Sequence, residues 1–421
     1  MTEIKPFQGI HYNPDKIANP SKVMCPPYDV ISSAQQDGFH TRNEYNFIRL
    51  EYPKDKPGDN ANNNKYTRAK EILDQWLQSG VLVQDEKPSI YYYRQEYKVQ
   101  GERHSRLGFI AAMKIQDAKD SKIFPHENTH AAAKEDRFKL WMSVEANLSP
   151  IFVCFSDKER KVEKIFMTHL AVTKPLFDVT DDDGVKHVFW KLDDPKLVSQ
   201  IVGTLANQQL FIADGHHRYE VSCEIRRQKM AQAGKTTGSE PFNYVMTYFT
   251  NIDSKDLKIF PMHRIVKKLP GDLSFLEEFF RMDKIKSKDE LMVMLAKAGQ
   301  NEHAFGLYTK DGHILMRLKN KALIDKTITE GSREYRRLDA TILKYFVFDK
   351  LGVKSEDIIY TKDSVEVFTK VDEGIAEAGF IMNPVKISQL KAVALGGEKM
   401  PPKTTYFYPK VLSGLTSHRI V

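Results

Sequence analysis

A mixed α/β architecture is what the sequence predicts, and three observations carry that expectation. Short apolar, β-branched runs such as SPIFVCFS and QLFIA read as strands, while TRAKEILDQWLQSG and RYEVSCEIRRQKMAQAG carry helical signals. No fixed-length period recurs, which excludes a solenoid or propeller. Across 421 residues, 41% are hydrophobic and 28% charged, so apolar surface is ample for two or three cores and the chain is not of disordered composition.

Charge and cysteines narrow the class. The excess of basic over acidic residues is +7 at pH 7, mild for this length and short of the clustered basic stripe that a nucleic-acid partner calls for. A mean hydropathy of −0.47, with no apolar run approaching ~18 residues, excludes a membrane-spanning helix. The start, MTEIKPFQGIHYNPDK, lacks the apolar stretch of a secretory signal, and Cys25, Cys154 and Cys223 are far apart. A soluble cytoplasmic protein with reduced thiols is the expectation.

In chain order, CPPYDVIS is rich in turn signals, NFIRLEY (Asn46 to Tyr52) reads as a strand, and KDKPGDNANNNK as a solvated loop. The helix around Ile72, Leu73, Trp76 and Leu77 stops at Gly80, and SIYYYRQEYKVQ and HSRLGFIAAMKI form a hairpin about Gly101. A helix follows over Thr129 to Glu145, then SPIFVCFS, and DVTDDDGVKHVFWKL as strand, turn and strand. The Asp181-Asp182-Asp183-Gly184 turn lacks the rest of a calcium loop and reads as a hairpin tip. PKLVSQIVGTL, SFLEEFF, DELMVMLAKAG and ATILKYFVFDKLG read as helices. Three regions are expected: an N-terminal α/β region over 1–115, a catalytic core over 116–270, and a C-terminal α/β region over 271–421.

Chemistry concentrates in three places. In Ile212-Ala213-Asp214-Gly215-His216-His217-Arg218-Tyr219-Glu220, an apolar strand turns through glycine into a long helix. That puts Asp214, His216, His217 and Arg218 at a helix N-terminus, where unpaired N–H groups and the macrodipole favour an anion. Imidazoles and a guanidinium add donors for phosphate oxygens, and the Asp214 carboxylate could hold Mg²⁺. The plainer alternative is that Asp214 only caps the helix and the histidines solvate a turn.

The second place is Pro125-His126-Glu127-Asn128-Thr129-His130, followed by Lys134, Asp136 and Arg137. It spells H-E-x-x-H, which in zinc hydrolases sets two histidines one helical turn apart. Pro125 places the motif at the opening of a helix at best, which weakens that reading, and Glu127 as a general base beside a phosphate is preferred. A surface helix capped by Asn128 or Thr129 is the alternative. The third place, Met400 to Lys410, gathers Lys403, Thr404, Thr405, Tyr406, Tyr408 and Lys410 between prolines, fitting a polar pocket and a surface strand equally. Two lookalikes fail. Gly234-Lys235-Thr236 would need a glycine where Lys229 stands, and no GxGxxG occurs.

Taken together, PPYDVIS (Pro26 to Ser32), NFIRL, PHE-x-T, K-x-DR (Lys134 to Arg137), NLSPIF (Asn147 to Phe152), IADGHHRYE and KTTYFYPK occur in an order that resembles the bacterial and archaeal family catalogued as domain of unknown function 1015. The resemblance runs from about Pro26 to the C-terminus, and its pattern does not carry His130. The DGHHR turn is similar to that of ParB/sulfiredoxin-type phosphotransferases, including free-serine kinases, which implies such a core with α/β additions at both ends. It further implies that Glu127 takes the proton of a serine hydroxyl, with Asp214 and His217 catalytic. His216, Arg218, Lys134, Arg137 and Lys403 would bind phosphate, and Mg²⁺ at Asp214 would assist. His126, Tyr28, Asp29, Tyr406 and Lys410 are candidate substrate contacts.

The first functional expectation is therefore a small-molecule kinase using pyrophosphate, ADP or ATP as the phosphoryl donor. A metal-dependent phosphatase or peptidase built on HENTH is the second, and a non-catalytic nucleotide- or nucleic-acid-binding regulator the third. The basic clusters at Lys158 to Lys161, Arg226 to Lys229 and Lys267-Lys268 read as solvated faces, which ranks the third last.

Overall fold

Alternation of apolar side chains along the strands decides which surfaces are buried. The computed structural model describes residues 2–117, 121–170 and 172–421. Two units result: Met1–Phe124 with Thr129–Leu257 and Pro409–Val421, and Pro125–Asn128 with Lys258–Tyr408. The architecture is mixed α/β, as expected. Strands from both sides of residue 115 share one sheet in the first unit.

That sheet runs Ile123–Phe124, Leu210–Asp214, Ile151–Phe155, Tyr244–Asn251, Glu102–Lys114, Ile90–Val99, Lys186–Leu192 and Phe177–Thr180, with Ile4–Lys5 pairing beside Glu102–Lys114. Pairing is antiparallel except where Leu210–Asp214 meets Ile123–Phe124 and where Ile151–Phe155 meets Tyr244–Asn251. One face carries Tyr92, Phe109, Val153, Ile212 and Phe249 into an apolar core closed by Val162, Phe166, Val198 and Ile201 from two helices. Tyr93, Gln95, Arg106, His187 and Tyr248, from the alternate positions, are also buried. The DDDG turn is the expected hairpin tip: Asp181 accepts the N–H of Val185 on its side chain at 2.9 Å, and Gly184 has φ +75°.

In the second unit, six strands pair antiparallel in the order Phe280–Ile285, Gly312–Leu318, Ala304–Thr309, Ala378–Ile381, His263–Val266 and Ile358–Thr361. Adjacent residues feed opposite cores. Ile265, Ala304, Leu315 and Ile381 join Leu291 and Val367, whereas Val266, Phe305, Met316 and Phe380 join Ile342 and Phe346. A separate ribbon pairs Lys258–Phe260 with Tyr406–Tyr408.

Two local expectations need correction. NFIRLEY is not a strand but a helical turn, Ile48–Glu51. Asn46 explains it, because its side-chain oxygen accepts the Ile48 N–H at 3.0 Å and its amide donates to the Lys22 carbonyl at 2.7 Å, offering the backbone a local alternative to a ladder. The helix expected from Thr129 spans Ala131–Val144, with His130 rather than Asn128 or Thr129 at its N-cap. ATILKYFVFDKLG is helical but passes through a π turn at Lys344–Phe348 between Asp339–Leu343 and Asp349–Leu351. No helix among the described residues is long and apolar enough to cross a membrane.

Candidate active site

Strict alternation along Leu210–Asp214 would send Asp214 to the face of Leu210 and Ile212, which is apolar core. The register against Ile151–Phe155 shifts between Ile212 and Asp214, and this irregularity re-aims the carboxylate. Gly215 then takes φ +85°, and the helix His216–Ala233 begins. No side chain caps this helix, so Asp214 is not a cap. Instead one Asp214 oxygen accepts from Arg218 Nη2 at 2.7 Å, and the other accepts from Lys410 Nζ. Burial acts to raise the Asp214 pKa, but Lys410 and Arg218 prevail and hold it well below the usual carboxylate range.

Arg218 is buried, with its guanidinium reaching the Pro150 carbonyl and the Ser149 hydroxyl (3.4 Å), while its Nε has no partner among the described residues. Ser149 donates to Glu51 at 2.8 Å. Glu51 is fully buried, and burial raises its pKa despite the opposing fields of Arg137 and Arg218. Arg137 donates to the Glu51 carbonyl and, at 2.6 and 3.0 Å, to Asp136. Its guanidinium lies 4.1 Å from the Tyr28 ring centre. Asp136 also takes Tyr66 Oη at 2.9 Å and Lys65 Nζ at 3.0 Å. Burial, then the charge of Asp29, pushes the Tyr28 phenol up. PPYDVIS, NFIRLE, K-x-DR, NLSPIF and DGHHR thus meet in one connected network, with Lys410 arriving from near the C-terminus.

A second cluster lies along the helix pair Ala131–Val144 and His216–Ala233. Glu220 accepts from Thr129 Oγ1 at 2.6 Å and Lys134 Nζ at 2.9 Å. His217 Nε2 accepts the His130 N–H at 2.9 Å, and the two imidazoles stack with centroids 5.9 Å apart. His216 is buried beside them in sequence. His130 precedes its helix and His126 lies outside any helix, so HENTH does not form the helical His-x-x-x-His face that a zinc hydrolase needs.

Two buried side chains fix the chain path of Lys410. Gln95 Nε2 donates to the Lys410 carbonyl at 2.7 Å, and Arg106 donates to the Pro409 carbonyl and to Gln95 Oε1. The second unit holds His126, Glu127, Lys403 and Tyr406. There His126 Nε2 meets Thr405 Oγ1 at 3.1 Å, and the His126 carbonyl accepts the Met400 N–H at 2.7 Å. Lys403 is exposed at φ +53°, and Lys362 Nζ lies 5.0 Å from the Tyr406 ring centre.

Glu51, Ser149, Asp136, Glu220, Gln95 and Arg106 take part in these networks without having been singled out as site residues from the sequence. Ser149, Asp136 and Glu220 lie inside the family motifs and Glu51 within NFIRLEY, so motif membership was the available signal for these four. Gln95 and Arg106 carried none, being single polar positions in aromatic strands.

Among solved structures, a free serine kinase in complex with AMP is 16% identical with a TM-score of 0.33, covering 68% of this chain and 83% of that one. A conserved hypothetical protein from Pyrococcus furiosus is 13% identical at TM-score 0.33, covering 68% and 87%. SbnI with a C-terminal truncation from Staphylococcus aureus is 10% identical at 0.37, covering 72% and 85%. These likenesses are too distant to assign an activity. No curated protein matches the sequence. The motifs that build the Asp214 network from Tyr28 through Arg218 all fall within residues 4–341, the stretch matched by the family described as Protein of unknown function (DUF1015), and the chain belongs to that family.

Proposed function

We propose that the protein is a small-molecule phosphotransferase, moving a phosphoryl group from pyrophosphate, ADP or ATP to a hydroxyl, with free L-serine the preferred acceptor. The supporting observation is the arrangement of Asp214 between Arg218 and Lys410 at the start of an 18-residue helix. One carboxylate between two cations gives a local positive excess, reduced by Asp29 and Glu51, whose fields also reach Arg218, and the helix dipole adds to it. Such a place favours an anion with several oxygens, and phosphoryl transfer asks mainly for positioning and charge cancellation.

In this reading the serine oxygen forms a bond to the donor's terminal phosphorus as the bridging P–O bond breaks. The hydroxyl proton passes to Glu127, a role that rests on the sequence resemblance alone. Arg218, Lys410, His216 and His217 neutralise the phosphates, while Lys134 is already paired with Glu220. Arg137 acts as a positioning residue, because its donors already hold Glu51 and Asp136. Asp214 fits Mg²⁺ poorly, since each of its oxygens already takes a cation. Its task here is to aim Lys410 and Arg218.

The test incubates the full chain with L-serine and each donor in turn and looks for O-phosphoserine by mass spectrometry. Formation with one donor, abolished in a folded Glu127→Gln variant, is expected. Absence of product with pyrophosphate, ADP and ATP alike rejects the reading.

A further inference from the structure

The Asp181-Asp182-Asp183-Gly184 hairpin tip has no part in the phosphate chemistry above, yet it touches a polar row that ends at Lys410. Three strand residues stand directly opposite one another across the sheet of the first unit: His187 faces Gln95, and Gln95 faces Arg106. All three are 0% exposed, as is Tyr93, whose ring stacks on His187 with centroids 5.8 Å apart. A polar row this deeply buried has to satisfy its own donors and acceptors.

The partners fix where the protons sit. One Asp181 oxygen accepts the Val185 N–H at 2.9 Å, and the other faces His187 Nε2 at 2.9 Å. Burial, helped by the charge of Arg106, lowers the His187 pKa against Asp181 and Asp183, so the ring is neutral at pH 7 and carries one proton. A carboxylate only accepts, which puts that proton on Nε2 and leaves Nδ1 its lone pair. Nδ1 accepts the Tyr93 hydroxyl proton and lies 3.5 Å from Gln95 Nε2. Arg106 donates to Gln95 Oε1, which turns the Gln95 nitrogen toward both His187 and the Lys410 carbonyl, 2.7 Å away. The same arginine holds the Pro409 carbonyl. The His187 tautomer is therefore felt at the backbone of the residue whose ammonium meets Asp214.

We infer that Asp181 and His187 are positioning residues for Lys410, on the reading that Lys410 and Arg218 take phosphate: Asp181 sets the His187 tautomer, and that tautomer lets Gln95 hold the Lys410 backbone. Asp181→Asn inverts the arrangement. The Val185 N–H retains the amide oxygen, so the amide nitrogen turns to His187 Nε2 and drives the ring proton to Nδ1. There it meets the Gln95 amide donor against donor, and the hold on Lys410 loosens.

Two readouts of the full chain test this at neutral pH. Ring ¹⁵N spectra of histidine-labelled protein, with His187 assigned through His187→Gln, report the tautomer, and calorimetry reports pyrophosphate affinity. The parent should carry the proton on Nε2. Folded Asp181→Asn should carry it on Nδ1 and bind pyrophosphate about tenfold more weakly, the value of one hydrogen bond. Asp182→Asn makes the same charge change at an exposed neighbour that pairs with Arg42 at 2.6 Å, and should leave both readouts unchanged.

A parent His187 protonated on Nδ1 overturns the inference with no variant needed. So does a tautomer that Asp181→Asn leaves in place, or an equal loss of affinity in Asp182→Asn. A parent that binds pyrophosphate no more tightly than folded Asp181→Asn overturns this inference alone, whereas a parent that binds none overturns the anion-site reading together with it.

Discussion

Gly215 is held at φ +85°, and a Cβ placed there would lie 3.0–3.1 Å from the Arg218 guanidinium. The left-handed conformation alone costs a non-glycine residue about 1–2 kcal/mol, and the methyl would also push Arg218 off Asp214. Gly215→Ala is therefore expected to lower stability in urea by at least that amount and to weaken pyrophosphate binding; unchanged binding would uncouple Arg218 from the anion site. Glu51 yields a prediction of opposite sign. Burial raises its folded pKa, so its unfavourable charge appears only as the pH rises through that value. Glu51→Gln keeps an acceptor for Ser149 and should be more stable than the parent at pH 8, with the advantage vanishing toward pH 4. Thermal unfolding across that range measures it.

The long amphipathic and apolar elements were legible because periodicity alone specifies them: the hairpin Ile90–Val99 with Glu102–Lys114, the strand Leu210–Asp214 and the helix His216–Ala233 all form where the residues indicate. The Ile48–Glu51 turn was not legible, because one side chain, Asn46, overrides the β propensity of its neighbours. The Asp214–Arg218 pairing was readable as an i, i+4 spacing. Its third member, Lys410, was readable only as part of a polar segment, since 196 residues separate it from Asp214. The strands that hold Lys410 were read for packing alone. Gln95 donates to the Lys410 carbonyl, so Gln95→Leu should loosen that lysine. The expected result is weaker pyrophosphate binding in calorimetry with the far-ultraviolet circular dichroism spectrum retained, and affinity equal to the parent's would assign Gln95 to packing only.

At the scale of the whole molecule, histidine burial sets the response to acid. Burial pushes His40 and His263 down to about 4 and His418 down to about 3, and it lowers His187 against the opposing Asp181. Each has an ordinary value of 6.5, so the unfolded chain takes up protons before the folded one does. Their contribution is full above about pH 6.5 and is lost as the pH falls toward 4. The urea midpoint should accordingly drop between pH 7 and 4.5, and less steeply in His418→Gln, a neutral replacement that no longer titrates. The basic excess of +7, too small to name a polyanion, is more informative in its placement. Two of its members, Arg218 and Lys410, converge on one carboxylate at a helix start. The most direct measurement is ³¹P NMR of the full chain with L-serine and pyrophosphate, ADP or ATP, run beside Lys410→Met. The account predicts an O-phosphoserine signal from the parent and its loss in the folded variant, whereas a signal of equal rate from both, or none from the parent with any donor, would contradict it.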